Sequence, residues 1–205
     1  MKRKLLSALL ATAMTMTVVA GTGIAVSADG EAVVSTVMFS DPDTMDPGRA
    51  DDDQKNSIVL ECQETLVRLI DGKLTNAGAE SYETSDDGLV WTFHLRDNKY
   101  SDGTPVVAED YVNSIRRVFD PEVNCHNAGI VYCIAGGEAF NTGSGAKEDV
   151  GAKAIDDKTL EITLTEPIPY FAQLLTFANI TPVPESKTEG ENNSSYGAIV
   201  DDLAQ

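Results

Sequence analysis

Apolar residues at Trp91, Phe93 and Leu95 alternate with Thr92, His94 and Arg96. That period of two predicts a half-buried strand. Ser101, Asp102, Gly103, Thr104 and Pro105 follow, and they supply turn chemistry: a carboxylate that can bond its own backbone, a glycine that accepts positive φ, and a proline of fixed φ. From Ala108 the period changes. Ala108, Tyr111, Val112, Ile115, Val118 and Phe119 recur at helical spacing, which predicts a helix with one apolar face, stopped by Asp120-Pro121.

The same reading extends along the chain. The β-branched run Val33 to Phe39 predicts a strand. A loop over 41–53 leads to a predicted helix Asn56–Leu69, preceded by acids that suit the positive end of its dipole. Its stripe Ile58, Val59, Cys62, Leu66 and Leu69 would bury Cys62 as a free thiol. Asp71-Gly72 predicts a turn. Tyr82–Thr84 and Leu89–Leu95 predict a hairpin turning at Ser85-Asp86-Asp87-Gly88. Residues 124–140 read as partly helical and 141–145 as loop. Gly151–Ile155 and Thr159–Leu164 read as strands, and Tyr170–Phe177 as a short helix. This mixture predicts an α/β or α+β fold.

The ends change the picture. Lys2, Arg3 and Lys4 precede the apolar stretch Leu5–Ala25, and Val26-Ser27-Ala28 offers small residues for cleavage, so 1–28 reads as a secretory signal peptide. No cysteine lies in the first 30 residues, just after that stretch, so no lipid anchor is expected. The mature chain is expected outside the cytoplasm, periplasmic or secreted, with cleavage after about Ala28 and no membrane insertion afterwards. About 177 residues then remain, and the net charge of −18 becomes −21 without the three leader cations. So acidic a chain argues against nucleic acid and anionic membrane surfaces as partners. The run Asp51-Asp52-Asp53 reads as solvated.

Candidate chemistry is sparse. Cys62, Cys125 and Cys133 are an odd set for an oxidising compartment. Cys125 and Cys133 could pair if the chain turns between them. A continuous helix would hold them about 12 Å apart. His94 and His126 form no metal motif with them, so no metal site is expected. The chain carries no G-x-S-x-G elbow, H-E-x-x-H, P-loop or Rossmann glycine pattern. Glu109-Asp110 are helix neighbours that point about 100° apart and cannot share a proton. The expectation is no enzyme, no catalytic residue and no cofactor.

Longer patterns point further. F-x-L-R at Phe93–Arg96, then S-D-G-T-P-x-x-A-x-D at Ser101–Asp110, is preceded by Asp43-Thr44-Met45-Asp46-Pro47 and Ala79-Glu80-Ser81-Tyr82. It is followed by the stretch Val150–Leu164, by Glu166-Pro167-Ile168-Pro169-Tyr170-Phe171, and by Thr181-Pro182-Val183-Pro184. In this order they resemble the extracytoplasmic peptide-binding proteins that feed ABC importers, the oligopeptide- and dipeptide-binding members above all. The resemblance implies an α/β, periplasmic-binding-protein-like fold of the type II, peptide-binding class. It implies the first lobe with the small α/β subdomain, the second lobe missing. The expected division is 29–55 opening the first lobe, 56–165 the small subdomain, and 166–205 returning to the first lobe.

The function implied is capture of oligopeptides and delivery to ABC permease subunits. A half-length secreted interaction module without transport is the alternative, and a gene fragment, a frameshifted product or a stand-alone half are equally open. The resemblance places peptide contacts at Asp51 and Asp53, after the D-P segment, and at Asn127, where oligopeptide binders carry an aromatic. Other departures are Tyr100 for a tryptophan, Glu64-Thr65-Leu66 for E-G-L, and a proline lost around Asn76 to Gly78. Val107 replaces a capping threonine, a loss of about 1 kcal/mol. Asp110 is expected to be structural, bonding the turn before it.

Overall fold

A computed structural model describes residues 24–26, 32–34 and 44–188. Two short strands, β1 (Ile24–Val26) and β2 (Ala32–Val34), pair antiparallel with Ala25 opposite Val33. They belong to one compact unit, residues 1–41, and all that follows belongs to a second, residues 42–205. The predicted strand Val33–Phe39 is thus seen as Ala32–Val34, and its remainder lies outside the described residues. So do most of the leader and the tail beyond residue 188.

Helix α1 (Asp53–Cys62) starts where Asp52 caps it, its Oδ1 accepting from Gln54 N at 2.9 Å and Lys55 N at 2.8 Å. It stops at Gln63, which is extended at φ −130° and ψ 161°. The expected helix Asn56–Leu69 is therefore corrected. Its second half is strand β3 (Val67–Ile70), which pairs with β4 (Lys73–Asn76), Ile70 opposite Lys73. Asp71 and Gly72 join them with φ of 49° and 73°. Two successive positive φ values make the mirror-image turn that matches strand twist, and Asp-Gly is the sequence that adopts it. Cys62 is corrected too: with no continuing helix to cover it, it is exposed.

The main sheet is antiparallel with strand order β5 (Ala79–Thr84), β6 (Val90–Leu95), β8 (Thr159–Thr163), β7 (Ala152–Asp156). The expected hairpin forms: Ser85 N donates to Val90 O at 2.9 Å, and Asp87 Oδ1 receives Ser85 Oγ and Leu89 N. Register sets Trp91 opposite Ile162 and Phe93 opposite Leu160, so one face is continuously apolar. Helix α2 (Ala108–Phe119), as predicted to the residue, covers that face with Tyr111, Ile115, Val118 and Phe119 in the same core.

Four polar residues of α2, Asp110, Asn113, Ser114 and Arg117, are also buried, and each finds a partner. Asn113 Nδ2 donates to Val183 O and Thr188 Oγ1, both at 2.9 Å, and Ser114 Oγ donates to Thr181 O at 2.6 Å. Residues 181–188 therefore close over the helix. At its start Val107 makes no side-chain cap, but Asp110 Oδ2 accepts from Val107 N at 3.0 Å, as its structural reading required. The partly helical stretch resolves into a 3-10 turn Ala128–Val131 and a short helix α3 (Gly137–Asn141). The chain between Cys125 and Cys133 is thus no continuous helix, and both thiols are free. A four-residue helix, α4 (Phe171–Leu174), sets Phe171 edge-on to Trp91 at 5.4 Å.

Candidate functional site

The D-P segment folds into a tight turn. Asp46 begins a 3-10 turn, Pro47–Arg49, with its Oδ1 accepting from Gly48 N at 2.9 Å. Its Oδ2 receives Arg117 Nη2 of α2 at 2.7 Å. Beyond the turn, Ala50 (φ −71°, ψ 101°) and Asp52 (φ −127°, ψ 165°) are extended, so a short strand-like edge precedes α1. Ala50 is buried and Asp51 exposed.

Two asparagines hold this edge from beneath. Asn127 Nδ2 reaches Ala50 O at 3.3 Å and Asn179 Oδ1 at 3.0 Å. Asn179 Nδ2 reaches Pro47 O at 2.6 Å and Ala50 O at 3.0 Å. A shallow apolar hollow lined by Val118, Ile130, Val131, Phe177 and Ile180 opens beside both asparagines.

Asp51 lies between the side chains of Lys55 and His126. Lys55 Nζ is 2.7 Å from its Oδ1, and His126 Nδ1 is 3.0 Å from its Oδ2. The hydrogen bond from Lys55 holds the Asp51 carboxyl below the usual range. Partial burial opposes this, and the Lys55 charge and the His126 bond add to it. Asp51 and Asn127 thus meet at one edge, through Ala50 and through His126 beside Asn127. Asp53 stands apart on the first turn of α1, exposed, with its carbonyl accepting from Ser57 Oγ at 2.6 Å. Sequence reading missed Asn179, Lys55 and His126. Asn179 had one visible signal, an amide inside the apolar run Phe177–Ile180.

The neighbour of His126, Cys125, is buried, and burial pushes its thiol up, away from a nucleophilic thiolate. Among the described residues no group of three His, Cys, Asp or Glu could hold a metal ion, and none of the helices is long and apolar enough to cross a membrane.

A sheet packed on one helix, with a D-P turn pinned beneath an extended edge, is part of the type II periplasmic peptide-binding fold. Residues 73–199 match the bacterial extracellular solute-binding proteins, family 5, in that family's middle region, and the chain belongs to this family. It is 41% identical over 167 residues to the periplasmic oligopeptide-binding protein OppA of Escherichia coli K12, covering 78% of this chain and 31% of that protein. It is 36% identical over 162 residues to the oligopeptide-binding protein OppA of Bacillus subtilis 168, covering 78% and 30%. The substrate-binding domain of an oligopeptide ABC transporter from Bacillus anthracis Ames superposes with a TM-score of 0.71 at 36% identity, over 76% of this chain and 30% of that one. The chain therefore spans about 30% of the length of the curated relatives it matches.

Proposed function

We propose that this chain contributes the first-lobe part of a solute-binding protein that captures oligopeptides outside the cytoplasm and delivers them to ABC permease subunits. It binds and does no chemistry. The observation that carries this is the extended edge Ala50–Asp52, anchored from below at the Ala50 carbonyl and exposed at Asp51. An exposed extended edge offers backbone groups to a peptide as an added strand, and strand addition gives affinity with tolerance for side chains. On this reading Asp51 and Asp53 flank the peptide backbone, and Asn127 supports the edge. The leader 1–28 directs export, with cleavage after about Ala28. Residues 56–165 form the small α/β subdomain between two first-lobe stretches, 29–55 and 166–205.

Titrating trialanine into the isotope-labelled chain tests this by NMR. Shift changes are expected at the amides of Asp51, Asp52 and Asp53 and at the Asn127 side-chain amide. A ligand held on one side only is expected to bind with a Kd on the order of 1 mM, about 4 kcal/mol. No change at these groups, with shifts elsewhere or nowhere, would overturn the reading. A micromolar or tighter Kd would contradict a ligand shared between two lobes.

A further inference from the structure

Asn179 is a buried polar side chain with no assigned part in ligand contact. It is 3% exposed and sits in the 3-10 turn Ala178–Ile180, between apolar neighbours that are themselves buried. Its two polar atoms face three partners on two other segments. Nδ2 donates to Pro47 O at 2.6 Å and to Ala50 O at 3.0 Å, while Oδ1 accepts from Asn127 Nδ2 at 3.0 Å.

A side-chain amide meets these demands because it carries two donor hydrogens on one side and an acceptor on the other. A carboxylate of the same shape could still accept from Asn127, but it would turn lone pairs towards two carbonyl oxygens. An apolar side chain would leave Pro47 O only the bond from Ala50 N, and Ala50 O only the longer bond from Asn127, and buried carbonyls that lose a donor lose stability. Packing alone does not ask for such a residue, since Ala178 and Ile180 already fill the space on either side.

We infer that Asn179 is the positioning residue of the ligand edge, its amide fixing the Pro47 and Ala50 carbonyls against Asn127 so that Asp51 emerges at a set register. The inference rests on the reading of Ala50–Asp52 as the ligand edge. It adds that the edge is set by a residue about 130 positions later in the chain. The Arg117–Asp46 pair pins one end of the turn, and Asn179 pins the other. Asp51 then reaches His126, the neighbour of Asn127 in sequence.

Asn179→Asp tests this in the full chain, because it removes the donors facing the turn and keeps an acceptor facing Asn127. Amide exchange at Gly48, Arg49 and Ala50 is expected to quicken at least about ten-fold, while the core amides of Phe93 and Ile115 keep their rates. The Asp51 carboxyl, followed by its carbon shift, is expected to titrate closer to the usual carboxylate range as Lys55 and His126 lose their fixed partner. Trialanine-induced shifts at Asp51 and Asp53 are expected to vanish in the variant. If the buried carboxylate prevents folding, Asn179→Ala, which introduces no charge, is expected to give the same local pattern. Unchanged exchange at Gly48–Ala50, or equal quickening of core and turn with the Asp51 titration unmoved, would overturn the inference. Absence of peptide shifts in the parent chain bears on the ligand reading alone, because exchange and titration are read without peptide.

Discussion

Arg117 Nη2 lies 2.7 Å from Asp46 Oδ2, and the two side chains are 3% and 1% exposed. The pair joins the last turn of α2 to the D-P turn across 71 positions of sequence. Desolvating two charges offsets much of their attraction, so such a pair does more for register than for net stability. Its loss on one side only is another matter, because a buried charge is left without its partner.

Arg117→Met is accordingly expected to destabilise the chain by about 3–5 kcal/mol. Asp46→Asn keeps an acceptor for Gly48 N but discards the negative charge that faces Arg117. The double variant is expected to cost less than the sum of the two singles. Urea unfolding of the four proteins checks this. Strict additivity would show that the two charges are not energetically coupled.

Trp91 is 6% exposed and touches three rings: Phe171 at 5.4 Å, Tyr82 at 5.7 Å and Phe93 at 6.4 Å between centroids. Truncation to alanine removes that ring from the core and is expected to cost about 3–5 kcal/mol. Among the described residues its indole N–H is buried without a partner. Trp91→Phe therefore keeps most of the apolar area and sheds an unmet donor, so its cost should be well below that of alanine. The parent fluorescence should be blue-shifted and move red on unfolding. A stable alanine variant, or exposed-type emission from the folded parent, would contradict the core placement.

The fold was most legible where one signal dominated. Strand β6 and helix α2 carry unmixed periods of two and 3.6, and Asp120-Pro121 ends the helix sharply. Leu66 and Leu69 misled because they stand four and seven positions after Cys62, a spacing that suits a helix. The decisive residues were Asp71-Gly72, whose turn type demands strands on both sides. Local turn chemistry overrode an apolar stripe. In the candidate site, Asp51 and Asn127 do meet, but Asn179 was hidden. Its role depends on carbonyls more than 125 positions away, and no local pattern encodes such a contact.

Gly136 and Gly143 separate two costs that glycine removes. Both have positive φ, 72° and 75°. At Gly143 a Cβ would meet nothing within 4 Å, so alanine there bears only the left-handed penalty, about 1–2 kcal/mol. At Gly136 a Cβ would stand 2.2 Å from Asp149 O, a backbone atom on the segment leading into β7. Gly136→Ala is expected to exceed Gly143→Ala by more than about 1 kcal/mol. Equal thermal shifts for the two variants would rule out the close approach.

Asp110 has an unusual place in the acid response. Burial pushes its carboxyl up from the ordinary 3.8, against the hydrogen bonds from Val107 N–H and the Tyr100 side chain. Between 3.8 and that raised value the folded chain holds a proton that the unfolded chain has released. Stability from this group therefore falls as pH rises through that window and is level above it. Asp51, Asp87, Asp102 and Asp156 act in the opposite sense, since their carboxyls are held below 3.8 and their contribution is lost as pH falls through the lowered values. Asp110→Asn keeps an acceptor for Val107 N–H and cannot titrate. Relative to this variant, the parent is expected to gain stability on going from about pH 7 down to the ordinary 3.8. Urea midpoints of the two proteins at both values check it. A difference that stays constant, or moves in the variant's favour on acidification, would show that the Asp110 carboxyl is not raised.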